Sequence, residues 1–499
     1  MSALQDRYQK TKERLSAFGQ SHVLAFWDSL DDSRRENLLS QCEILPLEIL
    51  KREIANSSAL HGKSDPSTDD IQPVSVVRAQ SLDALKYRAI GEEMVRSGRV
   101  ACFTVAGGQG TRLGWNGPKG TFPATPLLQK PLFQVFAESI LAARRRWRGN
   151  IPWYVMTSPL NHQTTQDFFR NHDWFQLGEK SVRFFAQGTL PSLSIDGKIL
   201  LASPDSIALN PDGHGGAIRA LAASGSLSEM RREGVDTLSY FQVDNPLVKA
   251  VDPLFLGLHA AHPESSSEVS SKVVAKRDPS EKVGVFCRRN NRTEVLEYSD
   301  LPTHLAEATH PDGALMHSAG SIAIHAFSRS FLERLADDGQ GLPLHRALKK
   351  VASIDMNSGL LVEPFAPNAI KMEAFIFDAV PIASRSMVYE TRRDEEFAPI
   401  KNADGEDSPA TSQRAQSERA ARWFEACGIE VPRDEEGGEC AATIELSPLT
   451  ALDARELAQC ANLPHSIAVG AKIILSKNGY VATLTRPIRL GRIRWHQSR

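Results

Sequence analysis

The sequence predicts an α/β fold built on a mostly parallel sheet, and two observations carry that prediction. Apolar runs alternate with amphipathic segments along much of the chain, the pattern of strands joined by crossover helices. Two of those runs also end in residues suited to a ligand: Val100–Val105 feeds Gly107-Gly108-Gln109-Gly110, and Thr237–Val243 ends at Asp244. Parallel sheets place their sites beyond the strand C-termini, so both features are expected on one edge of the sheet.

In chain order, residues 3 to about 55 read as helical, with Leu15, Phe18, Phe26, Trp27, Leu30, Leu38 and Leu39 forming apolar faces between charged positions. Asn56 to Asp70 is rich in Ser, Asp and Gly and reads as a linker. A helix over about Ser81–Ser97 leads into the first strand. A second helix, Pro131–Trp147, precedes a strand at Trp153–Met156, a helix at Thr165–Asn171 and a strand at Val182–Phe185. Lys272–Tyr298 has short strand-like runs and is expected to be a β-rich insertion covering one side of the cleft. Asn402–Gln413 reads as a polar surface loop, Gln416–Ala426 as a helix, and Ile473–Thr485 as strands around Asn478-Gly479. The resulting division is a helical region over 1–95, a catalytic body over 96–400, and a small β-containing domain over 401–499.

The chain has 499 residues, 41% of them hydrophobic and 24% charged, as in an ordinary soluble globular protein of two or three domains. A formal net charge of -2 provides no global field for nucleic acid. Arg144-Arg145-Arg146-Trp147-Arg148 closes a predicted helix, where cations complement the dipole, so it is not read as a polyanion site. The six cysteines contain no CxxC pair and suggest neither zinc nor a disulfide framework, which fits the reducing cytoplasm; Cys102 is expected in the core. Met1–Arg14 is polar and charged, unlike a signal peptide, and no apolar run is long enough to span a membrane.

The glycine loop can bring backbone N–H groups close to phosphate, and Arg112 and Lys119 place cations beside it. No Gly-Lys-Ser/Thr closes it, so it is not a Walker A loop. Leu113 stands where a dinucleotide fingerprint needs its third glycine, which weighs against a dehydrogenase.

The loop resembles the signature of sugar-1-phosphate nucleotidyltransferases, and further motifs narrow that resemblance. Gln187-Gly188-Thr189-Leu190-Pro191, Gly197–Leu201, Pro211-Asp212-Gly213-His214-Gly215-Gly216, Gln242–Val248 and Ile370-Lys371-Met372-Glu373 are similar to the eukaryotic-type UDP-N-acetylglucosamine pyrophosphorylase family, from about Ser21 to near Val481. The resemblance implies a Rossmann-like sheet of the nucleotide-diphospho-sugar transferase, glycosyltransferase A-like type. It also implies uridylyl transfer from UTP to a sugar-1-phosphate. Such a reaction needs no covalent nucleophile; it needs positioning and neutralisation of crowded phosphates.

On that reading Gly107, Gly108, Gly110 and Thr111 meet the triphosphate, Arg112, Lys119 and Lys401 neutralise phosphate oxygens, and Asp244 holds Mg²⁺, with Mn²⁺ as the alternative. Gln187 is implied to contact uracil, and Gly213 and His214 belong to a second glycine loop near uridine and sugar. Gly284, Glu297, Tyr298, Ser321, Phe375 and Phe377 are implied on the sugar side, core packing being the competing role for the two phenylalanines. Asp378 is the candidate for a second metal ligand.

Two positions depart from the family pattern. His214 replaces the usual Asn, and Gly320-Ser321-Ile322-Ala323-Ile324-His325 replaces Gly-Asn-Ile-x-Asn-His. A serine has less hydrogen-bonding capacity than an amide, so sugar choice is open. N-acetylglucosamine-1-phosphate is the first expectation. Glucose-1-phosphate, N-acetylgalactosamine-1-phosphate or a broad range are alternatives, and a non-catalytic nucleotide-sugar-binding regulator is the reading from another class.

Overall fold

The computed structural model describes residues 3–57, 70–81, 83–338, 341–434, 438–461, 463–476 and 481–484. Most of the expected linker and the Asn478-Gly479 turn lie outside the described residues.

The sheet forms where the sequence is most continuously apolar. Val100–Val105 lies between Thr237–Gln242 and Trp153–Thr157, parallel to both, and Val182–Ala186 extends the parallel set. On the other side, Ala319–Ser328 runs antiparallel to Thr237–Gln242 and to Val269–Ala275; Ser386–Glu390 and Val77–Arg78 then continue in parallel. The fold is therefore a mixed α/β sheet, mostly parallel, with one reversed strand near its centre.

Lys272–Tyr298 does not form one insertion as expected. Val269–Ala275 is an interior strand of the main sheet, and only the hairpin Val285–Arg289/Arg292–Leu296 stands at its margin. A charged residue in mid-run hid the strand. Lys272 is fully buried, and its ammonium is ion-paired with Asp252 at 2.7 Å and with Glu396.

Helix Ala84–Arg96 packs on helix Pro253–Ala261, and together with helix Leu132–Trp147 they cover one sheet face. The other face is covered by Ala217–Ala223, Ser226–Glu233 and Arg329–Asp337. The Arg144–Arg148 cluster serves packing: Arg144 donates to the Ile151 and Leu177 carbonyls at 3.1 Å, and Arg146 pairs with Asp453 and Glu456 at 3.0 Å. Cys102 is fully buried, as expected.

The N-terminal helices Ala3–Ala17, Asp32–Glu43 and Leu47–Ser57 bury Leu15, Leu38 and Leu50, together with Trp27 from the short turn Trp27–Ser29, against Leu190, Leu193, Ile199, Leu201 and Met372. Gln20 fixes this contact by donating to the Gly197 carbonyl and accepting from the Ile199 N–H, both at 3.0 Å. These helices thus brace the β-arm that follows Gln187.

At the other end, helix Pro409–Ala426 begins within the stretch expected to be a loop. Ser408 caps it and Pro409 occupies the first turn, where a missing N–H costs nothing. Trp423, Phe424, Ile444, Leu457 and Ile473 form a separate core with the sheet of Thr443–Leu446, Lys472–Leu475 and Val481–Leu484. Among the described residues no helix is long and apolar enough to cross a membrane.

Candidate active site

The first glycine loop leaves the end of the Val100–Val105 strand and is held by a residue the sequence did not single out. Asn161, fully buried at the start of helix His162–Asn171, donates to the Ala106 and Gly108 carbonyls at 3.1 and 3.3 Å and accepts from the Ser158 N–H at 2.8 Å. The Lys119 N–H bonds the Gly108 carbonyl at 3.0 Å and the Gly110 N–H bonds the Gly117 carbonyl at 2.9 Å. Gly108, Thr111 and Arg112 are exposed at the rim of the loop, and Arg112 forms no ion pair with any described residue.

Asp244 ends the neighbouring strand, so parallel pairing brings it beside the loop. Its Oδ2 lies 3.5 Å from Lys119 Nζ, both side chains being largely buried. Ile400 N–H bonds the Asp244 carbonyl at 2.8 Å, which delivers Lys401 to the same edge. Asn245 locks the arrangement: Nδ2 donates to the Glu396 carbonyl at 2.7 Å, and Oδ1 accepts from Ala398 N–H at 3.1 Å and Leu247 N–H at 3.2 Å. Lys401 Nζ itself pairs with Asp407 at 3.1 Å. Four expected residues, Gly108, Lys119, Asp244 and Lys401, are therefore tied to one strand edge by short bonds.

Gln187 is buried next to Gly107; a Cβ on Gly107 would stand 2.4 Å from Gln187 Oε1. The second glycine loop is interleaved with that segment. Asp212 N–H bonds the Gly188 carbonyl at 3.1 Å, and the Asp212 carbonyl accepts from Ala374 N–H at 2.8 Å. Gly213 has φ +82°, and a Cβ there would meet the Ala374 carbonyl oxygen at 2.4 Å, so this position requires glycine on both counts.

His214 accepts from Ile376 N–H at 3.1 Å and stacks on Phe375 with ring centroids 5.3 Å apart. Phe375 and Phe377 are only partly buried and contact each other with ring centroids 5.1 Å apart. Phe375 also packs on His345, 4.5 Å away, which sequence reasoning missed and whose Nε2 lies 2.8 Å from Asp378 Oδ2. Asp378 thus serves a histidine, and no group of three or more metal-ligating side chains occurs among the described residues. The Ser321 N–H bonds the Gly284 carbonyl at 2.8 Å, and Glu297 reaches over Gly284. Burial raises the Glu297 carboxyl, with Asp300 and Asp378 adding to it. Tyr298 points outward, 49% exposed.

Ser321 sits at an irregularity in its strand. Register shifts between Lys272 and Val273, and Ala323 opposite has φ +53°, so the strand bulges where it carries the serine.

Three imidazoles are held neutral. Burial lowers His214 and His259 to about 4 and His325 to about 3. The unfolded chain binds more protons than the folded one below about pH 6.5, so stability is full above that value and falls as pH drops toward 4. Denaturant midpoints measured from pH 7 to pH 4.5 are expected to fall, and less steeply in His214→Asn.

Residues 52–406 match the family described as UTP–glucose-1-phosphate uridylyltransferase. The chain belongs to that uridylyltransferase family. Its relatives include the Homo sapiens protein named UDP-N-acetylhexosamine pyrophosphorylase-like protein 1, 36% identical over 88% of this chain and 92% of that one. Another is the UDP-N-acetylglucosamine pyrophosphorylase of Saccharomyces cerevisiae, 34% identical over 84% and 91%. Among solved structures, the uridine diphosphate N-acetylglucosamine pyrophosphorylase of Trypanosoma brucei superposes with a TM-score of 0.77 at 26% identity, covering 94% of this chain and 98% of that one. The uridylyltransferase match covers the glycine loop, the Asp244 turn and Lys401.

Proposed function

We propose that this protein transfers the uridylyl group of UTP to N-acetylglucosamine-1-phosphate, giving UDP-N-acetylglucosamine and pyrophosphate. A phosphate oxygen of the sugar-1-phosphate attacks the α-phosphorus, the α–β phosphoanhydride bond breaks, and pyrophosphate leaves with its electron pair. The observation carrying this reading is the Lys119–Asp244 pair at 3.5 Å beside the glycine loop, with the exposed Arg112 in no ion pair with a described residue. Lys119 and Arg112 neutralise the triphosphate, and Lys401 approaches by exchanging Asp407 for phosphate. Gln187 presents an amide edge to uracil, while Glu297 and Ser321 accept and donate to sugar hydroxyls.

Mg²⁺ fits the residues present. That ion commonly takes one or two carboxylates and completes its shell with water and substrate phosphates, so Asp244 alone is a sufficient protein ligand. When bound it screens charge on the triphosphate oxygens; Mn²⁺ would serve equally. The reading places a glycosyltransferase A-like catalytic body over 96–400, braced by the N-terminal helices Ala3–Ala17, Asp32–Glu43 and Leu47–Ser57 and tied to the C-terminal core through Arg146 and Asp453. A reducing cytoplasmic location is supported by six cysteines, all free.

Gly107→Ala would push Gln187 aside, and KM for UTP is expected to rise about tenfold, the loss of one good hydrogen bond. Sugar choice is tested by pyrophosphate release at equal concentrations of N-acetylglucosamine-1-phosphate and glucose-1-phosphate. Preference for the acetylated sugar is expected, increasing in Ser321→Asn. Preference for glucose-1-phosphate would assign Ser321 and His214 to a changed sugar pocket on the same transfer core.

A further inference from the structure

His345 belongs to none of the motifs that implied a sugar contact, yet it stands among the residues that did. It lies on the strand Leu344–Lys349, which pairs antiparallel with Ala369–Ala374 and sets His345 opposite Glu373. Successive side chains of a strand point to opposite faces. Arg346 is tied to the Glu53 carboxylate of helix Leu47–Ser57 at 2.9 Å, so its neighbour His345 faces the other way, onto Phe375. Phe375 thereby touches two imidazoles, with ring centroids 4.5 Å from His345 and 5.3 Å from His214. Phe377 completes the group, 6.4 Å from His345 and 5.9 Å from His214.

The His345 ring offers more than packing requires. Nε2 lies 2.8 Å from Asp378 Oδ2, and a carboxylate only accepts, so Nε2 carries a proton and donates it to this bond. Nδ1 has no hydrogen-bond partner among the described residues, and the side chain is 41% exposed. Asp378 therefore fixes the orientation of the ring and leaves its second nitrogen open. Asp378 raises the imidazole pKa, burial opposes it, and Asp300 and Glu297 add to the rise, so the ring shares one space with Glu297. A sugar hydroxyl both donates and accepts, so it can pair with Nδ1 in either protonation state.

We infer that His345 is a further sugar-binding residue, its Nδ1 meeting a ring hydroxyl of the sugar in the space it shares with Glu297, and that Asp378 is the positioning residue that orients it. The identity of the sugar rests on the uridylyl-transfer reading; the contact is read from binding alone.

The test is calorimetric titration of the full-length protein with UDP-N-acetylglucosamine and, separately, with UDP. His345→Phe keeps a ring on Phe375 and lacks both nitrogens. It is expected to weaken UDP-N-acetylglucosamine about tenfold, the loss of one hydrogen bond, and to leave UDP within about twofold. His345→Gln keeps a donor for Asp378 but has no counterpart of Nδ1 and should lose as much. His345→Asn keeps a polar group near the Nδ1 position and should lose less. Asp378→Ala should weaken the nucleotide sugar about fivefold, and Asp378→Asn, which still accepts from Nε2, less than about twofold. During turnover the KM for N-acetylglucosamine-1-phosphate should rise about tenfold in His345→Phe with the KM for UTP unchanged. Parent-like binding of UDP-N-acetylglucosamine by His345→Phe or His345→Gln, equal weakening of UDP, or no binding by the parent would overturn the contact. Equal losses in Asp378→Ala and Asp378→Asn would overturn the role of Asp378. Sugar binding that depends on His345 in a protein that releases no pyrophosphate would leave the contact standing and remove the transfer reading. Turnover with an unshifted sugar KM in His345→Phe would do the reverse.

Discussion

Lys119→Ala is expected to lower kcat by about 100- to 1000-fold, the loss seen when one preorganised charge is taken from an oxyanionic transition state. Lys119 is placed from two sides: its N–H is fixed to the Gly108 carbonyl at 3.0 Å, and its ammonium lies 3.5 Å from Asp244. Removing it deletes a cation from the triphosphate site and leaves Asp244 without its counter-charge. KM for UTP should change less than kcat, because the charge that Lys119 opposes grows as the phosphoanhydride bond breaks. Lys119→Arg retains charge but not reach and should restore only part of the rate. Steady-state pyrophosphate release checks both variants; a kcat within threefold of the parent for Lys119→Ala would remove Lys119 from the reaction.

Lys272→Met is expected to destabilise the protein by about 3–5 kcal/mol, the usual consequence of removing one partner from a buried ion pair. The ammonium and the Glu396 carboxylate are both at 0% exposure, and Asp252 is only slightly accessible. Burial pulls the Lys272 pKa down, but the two carboxylates outweigh it and hold the group above its ordinary value. Thr391 Oγ1 donates to the second Glu396 oxygen at 2.7 Å, so a lost lysine leaves a dressed but uncompensated anion. Because the Glu396 carbonyl accepts from Asn245, the disturbance should also reach the Asp244 turn and lower kcat. Replacing Glu396 together with Lys272, as Lys272→Met/Glu396→Leu, should recover part of the stability, since matched apolar groups substitute for a buried pair better than half of one. Denaturant unfolding measures each; a loss below about 1 kcal/mol for Lys272→Met would show the triad to be unimportant.

How far the sequence carried these conclusions differs by element. Val100–Val105, Trp153–Thr157 and Thr237–Gln242 are buried on both faces and read directly as apolar runs. Val269–Ala275 is as central but carries Ser270, Ser271 and Lys272, and only the distant Asp252 and Glu396 make that pattern tolerable in a core. The start of helix Pro409–Ala426 was hidden by polar residues, although Ser408-Pro409 is itself a cap-and-first-turn signal. At the site, glycines and strand-end charges were legible because their chemistry is local. Asn161, Asn245 and His345 were not, since each acts across the fold on a partner fixed by tertiary contact. Asn161 had the weak signal of a polar residue after a strand and turn. Asn245 stood next to Asp244, but its bonds to Glu396 and Ala398 span about 150 residues.

The most direct measurement is pyrophosphate release by the purified protein with UTP, N-acetylglucosamine-1-phosphate and Mg²⁺, run in parallel with Asp244→Asn. Metal-dependent release is expected from the parent, with at least about a 100-fold loss in the variant, in line with removal of a charge-organising group from a phosphoryl-transfer site. Unchanged turnover in Asp244→Asn, or no release from the parent with any sugar-1-phosphate, would contradict the assignment of uridylyl transfer to the edge where Lys119, Asp244 and the glycine loop meet.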